Sequence, residues 1–280
     1  MTASPDVSQP YYDLGTFQRS VETATPQAQV WFDRGLVWAY AFNHAEAVNC
    51  FERALTIDAG LAIARWGIAY AIGPNYNKAW DAFDPVDRTA SLARARMELR
   101  LAAECRATAA EKGLIDALST RFPTEDPDDL DALAAGHHAY AGAMAELAAA
   151  YPEDTDIQAL AADALVNVTA WALWDTSTGA PAPDSRVVEA QRILEDALAT
   201  EAGTVHPGVL HSTCTQWRCR HIRRWRCPPQ TCCVISFPTP DTCSTCPPIS
   251  TCCAATTAPR SNRISRPCAP TASSWNAKGR

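Results

Sequence analysis

WFDRGLVWAYAFNHAEAVNCFERALTIDA, residues 31–59, is the stretch whose reading decides the fold. Taken at helical periodicity, it is two short amphipathic helices joined at Asn43-His44. Val30, Trp31, Val37, Trp38 and Ala41 recur at helical spacing in the first. Ala47, Val48, Cys50, Phe51, Ala54 and Leu55 share one face of the second. Thr25-Pro26, just ahead, offers an N-cap followed by a proline at the first helical position. A third helix is predicted over 61–72 (LAIARWGIAYAI), stopped by Gly73-Pro74.

The internal spacing of this stretch resembles the tetratricopeptide repeat, a helix–turn–helix unit of 34 residues. Trp31, Gly35, Ala47, Phe51 and Ala54 occupy its bulky, glycine and small–aromatic–small positions. Gly35 and Ala47 suit a close helix crossing, with Trp31 and Phe51 filling the space on either side. Ala59 departs from the pattern, because the family usually has proline there. One repeat length on, Ala69 falls in the slot of Gly35, a partial second copy. YYDLG, WGIAYAIGPNYNKAW, the run from Ala139 to Leu165, and HPGVLH extend the resemblance to a group of longer bacterial repeat proteins, over roughly residues 11–211. It implies that first-helix residues line a concave face that takes an extended peptide or partner helix. Phe32, Leu36, Ala39, Tyr40 and Asn43 would lie on or near that face.

Further helices are predicted at about 87–106, 107–121, 128–151, 155–174 and 184–200. Alanine- and leucine-rich composition with almost no β-branched alternation excludes a sheet. The expected fold is all-α, an antiparallel helix-pair solenoid. It divides into an extended lead-in (1–26), tetratricopeptide-like pairs (27–106), degenerate helical repeats (107–205) and an irregular tail (206–280).

Several side chains carry alternative readings. Asn75, Tyr76, Asn77, Lys78 and Trp80, in an insertion over 74–87, suit either recognition of a peptide or small ligand or a loop anchored by a buried Trp80. Asn43-His44 reads as a turn that caps the second helix, or as a contact point. His137 and His138 point about 100° apart on one helix, so they cannot share a metal and read as a solvated pair. His206 and His211 flank a turn and are the weak metal candidates. No Ser–His–Asp set, carboxylate pair or phosphate loop stands out, so no catalysis and no cofactor are expected.

The chain of 280 residues is 47% hydrophobic, with no apolar run long enough to span a membrane. Its first residues lack a basic stretch followed by an apolar one, so the expected compartment is the cytoplasm. A net charge of −7 averages two unlike pieces. Residues 1–210 carry 30 acidic and 14 basic residues, whereas residues 211–280 carry one acid, 10 basic residues and 10 of the 12 cysteines. Cys243-x-x-Cys246 has a zinc-like spacing, but the adjacent pairs Cys232-Cys233 and Cys252-Cys253 match no ordinary zinc pattern. A one-base slip near His211 accounts for residues 212–280. In the shifted frame every Cys and Trp codon there becomes Leu, Met or Val. The tail is therefore expected to be disordered. The functional expectation is a scaffold binding a protein or peptide, with no nucleic acid and no membrane. The alternative is a frameshifted form of a metal-binding or enzymatic repeat protein whose His-rich site is lost.

Overall fold

The computed structural model describes residues 11–175 and 177–220. The expectations for the cysteine-rich tail beyond residue 220, the zinc-like pair included, lie outside the described residues. Among the described residues the fold is all-α, with only two isolated bridges, Asn75–Lys78 and Trp174–Pro181, in place of strands.

Local chemistry starts most helices. Pro26 opens α1 (Pro26–Tyr40), and Asn43 caps α2 (His44–Ile57) by accepting from the Glu46 backbone N–H. After α3 (Ala62–Ile72) comes one 3-10 turn, Trp80–Ala82. Asp84 then caps α4 (Pro85–Ala103) with Pro85 behind it. Thr108 and Glu111 form a reciprocal capping box on α5 (Ala109–Ser119). Asp129 caps α6 (Leu130–Ala150), and Asp154 caps α7 (Thr155–Asn167). The chain ends in α8 (Val187–Leu198), α9 (Glu201–Val205) and α10 (Pro207–Arg220).

Consecutive helices pack on one another through α1–α4 and again through α5–α8. The Phe51 ring explains how α1, α2 and α3 come so close. A Cβ built on Gly35 would lie 2.6 Å from that ring, and one built on Gly67 would lie 2.7 Å from it. Phe51 thus sits between two helices that each offer a glycine. Ala69, one repeat length after Gly35, is fully buried in α3, and the α3 glycine against the Phe51 ring is Gly67. Phe32 packs against that ring, Trp31 is buried, and Ala47 and Ala54 have no exposed surface.

Two features join distant parts of the chain. Residues 11–25 have no regular structure and lie across the helices as a strap. Tyr11 donates to Glu46 at 2.7 Å, Thr23 donates to Asp58 at 2.6 Å, and the Glu22 backbone N–H donates to Glu111. At the other end, α10 packs against α7, α8 and also α1, so the first helix meets the last. The sequence predicted irregular chain from residue 206. Instead Pro207 starts a helix whose Val209, Leu210 and Thr213 are buried. The helix predicted to run to Trp174 stops at Asn167. Trp171, seven residues before Thr178, stands in left-handed backbone with φ 62°.

Candidate functional site

α7 crosses the interior with nearly all of its residues buried, polar ones among them. A buried carboxylate is costly unless it is paired, and Asp156 is paired three ways. Tyr40 donates to it at 2.6 Å, His206 meets it through Nε2 at 3.0 Å, and Arg19 of the strap reaches it at 3.0 Å. Burial alone would raise the Asp156 carboxyl, but the His206 hydrogen bond and the Arg19 charge bring it below the usual carboxylate range. Arg19 also grips Asp154 with both terminal nitrogens, at 2.6 and 3.0 Å. The His206 ring accepts from the Val209 backbone N–H at Nδ1, so Nε2 carries the proton given to Asp156. Both of its nitrogens are therefore engaged in holding α10 to α7.

Above this cluster lies a groove of about 1240 Å³. Strap residues 13–20 form one wall, and the N-terminal end of α5, the α6–α7 turn and the α9–α10 junction form the others. Gln158 braces the α6–α7 turn by donating to the Ala148 and Tyr151 carbonyls. Exposed Asp13 and Glu153 and the side chain of Val205, 65% exposed, stand among its lining residues.

Two turns further along α7, Asp163 accepts from Tyr70 at 2.9 Å and from Asn167 at 2.9 Å. Arg121, 1% exposed, stacks over the Tyr140 ring at 4.9 Å and approaches His137 Nδ1 at 3.5 Å. No carboxylate lies within ion-pair reach of Arg121 among the described residues. Burial and the Arg121 charge bring His44 down to about 4 and His137 down to about 3, while burial brings His211 down to about 4. Burial pushes Asp163 above the usual carboxylate range against the pull of Arg121. A cavity of about 10 Å³ opens beside this group, lined in part by Phe42, His44, Tyr70, Asn75 and Asp163.

The residues singled out in the sequence divide between these places. Phe32 packs on Phe51, with ring centroids 5.6 Å apart, and is fully buried; Tyr40 is 7% exposed with its hydroxyl on Asp156. Leu36 and Ala39 are buried too. These first-helix positions, expected on an open concave face, are instead buried. Asn43 is occupied in capping α2. In the insertion, Tyr76 and Trp80 are each 3% exposed, and Trp80 packs on Phe83 and Phe122. Asn75 accepts from the Asn77 backbone N–H, and Lys78 lies 3.9 Å over the Phe83 ring with Asp87 beside it. Only Asn77 of that group is exposed. His138 is exposed, but His137 is turned in toward Arg121, which corrects the expectation of a solvated pair. His211 packs on Phe42 at 4.7 Å and does not join His206 on one ligand. Among the described residues no three His, Cys, Asp or Glu side chains converge as a metal site, and no helix is long and apolar enough to cross a membrane.

Arg19, Asp156, Arg121 and Asp163 escaped the sequence reading. Each looks like an ordinary surface charge on a helix or linker, and only long-range packing buries it. Comparison with protein-family models, curated proteins and solved structures finds no match to this chain.

Proposed function

We propose that this chain is a helical-repeat scaffold of the tetratricopeptide kind its sequence resembles, and that it takes an extended protein segment into the groove beside the strap. The observation that carries this reading is the groove itself. At about 1240 Å³ it exceeds the usual 300–1,000 Å³ of small-molecule sites, and it offers backbone turns, carboxylates and apolar carbons together. The first-helix positions that the resemblance would put on a concave face are buried, Tyr40 against Asp156 of α7 among them, which favours the strap side as the binding surface. Asp13 and Glu153, with the strong acidity of residues 1–210, favour a segment bearing basic or neutral side chains.

A photo-cross-linking amino acid placed at Thr16 or Val205 of the full chain tests this, with exposed Val86 on α4 as the control. Both groove positions should cross-link to the same peptide of one partner, and the Val86 position should not. Labelling that is equal at all three positions, or absent from the groove, overturns the reading.

A further inference from the structure

We infer that the small interior cavity between the α1–α2 turn, α7 and α10 is the binding site of one ordered water, which bridges His44 to Asp163 and completes a His44–water–Asp163–Tyr70 chain. Hydrogen-bond accounting leads there. A neutral imidazole carries one N–H donor and one acceptor nitrogen. Neither ring nitrogen of His44 has a hydrogen-bond partner in the protein, and neither reaches bulk solvent. Asp163 is lopsided in a complementary way. Tyr70 and Asn167 both donate to Oδ2, and no donor reaches Oδ1 among the described residues. Leaving the two buried His44 nitrogens without a partner is unfavourable, and Asp163 Oδ1 is an acceptor with capacity to spare.

His44 and Asp163 line the same cavity, whose volume of about 10 Å³ is that of one water-sized sphere. Asn75 and Ser212 supply two more polar side chains on its wall, so an occupant has the two to four partners a buried water needs. The backbone is committed to this arrangement. Phe42 takes φ 60°, a left-handed conformation unfavourable for an L-residue, and the turn it forms leads into His44 on the cavity wall. Its amide and that of Asn43 bond back to Ala39 and Trp38, which holds the strained turn in place. Chemistry selects a neutral molecule with both donors and acceptors. His44 stays uncharged down to about pH 4, burial favours the protonated form of Asp163, and no third metal-type ligand joins them among the described residues.

The test uses the full-length chain. A crystal structure fine enough to show waters should place one density peak within hydrogen-bond distance of the His44 ring and of Asp163 Oδ1. In solution, the His44 ring protons should show an Overhauser effect to a long-lived water. Asp163→Asn keeps an acceptor and should retain the water, whereas Asp163→Leu should lose it. His44→Phe should also lose it, and if that variant fails to fold, the asparagine and leucine pair still discriminates. An empty cavity in the unaltered protein, or anomalous scattering from a metal at the peak, overturns the inference.

Discussion

Phe51 and the two glycines beneath it set the spacing of the first three helices. Any side chain at Gly35 drives a carbon to 2.6 Å from the ring, and the ring cannot retreat because Gly67 holds its other side. Gly35→Ala should therefore lower the unfolding free energy by about 2 kcal/mol, the range for overpacking a dense core. Chemical denaturation measures it. Pairing the change with Phe51→Leu should recover part of the loss, and simple additivity of the two would show that the ring is not the obstacle. Gly35 and Phe51 were legible in the sequence because their spacing reports a local contact within one hairpin. Arg19 was not. Its partners lie 135 and 137 residues away, and nothing in QRS distinguishes that arginine from a solvated one.

The helices gain their ends from side chains that close the first turn, and α5 shows this most completely. Thr108 accepts from the Glu111 N–H while Glu111 returns the bond to the Thr108 N–H, and the same carboxylate takes the Glu22 N–H from the strap. Thr108→Ala should cost about 1 kcal/mol, readable as a shift in the urea midpoint without a change in slope. A loss near zero would mean that the strap holds this helix end without the cap. α9 and α10 were not predicted, whereas the helices up to α8 were readable, since caps and apolar periodicity are local. Ends were less so where tertiary packing overrides them. α7 gives way at Asn167 to a turn carrying Trp171, and α10 runs on because Val209 and Thr213 find cover. The insertion over residues 74–87 was read two ways, and burial of Tyr76 and Trp80 gives it an anchored interior side.

For the molecule as a whole, buried charge chemistry dictates how stability follows pH. His44, His137 and His211 titrate at about 4, 3 and 4 in the folded chain, against about 6.5 when unfolded. Below pH 6.5 the unfolded chain takes up protons that the folded chain refuses, so stability falls as pH drops. The slope is at most about 1.4 kcal/mol per pH unit for each histidine. Asp33, pushed up to about 6 by burial, and Asp163, also raised, act with the opposite sign: what they contribute at low pH is lost as pH rises through their folded values. Three histidines outnumber two carboxyls, so the unfolding free energy should be lower at pH 5 than at pH 7.5. Denaturant titrations at the two pH values check this, and a flat or inverted result would place those imidazoles in contact with solvent. The sequence could not announce this behaviour. Neighbouring residues leave each histidine a surface candidate, and only the approach of α5, α6, α7 and α10 shuts them in.

The strap has a consequence for synthesis. Arg19 leaves the ribosome early, but the carboxylates that neutralise it, Asp154 and Asp156, follow well over a hundred residues later. At translation rates of about 5–20 residues per second, the N-terminal segment waits on the order of ten seconds for its partners. Tyr40 waits nearly as long for Asp156. The first hairpin can form while the chain is being made, but Tyr40 finds its buried partner only once α7 has been made. Until then the nascent chain presents Tyr40 and its apolar neighbours to solvent or to whatever chaperone meets it.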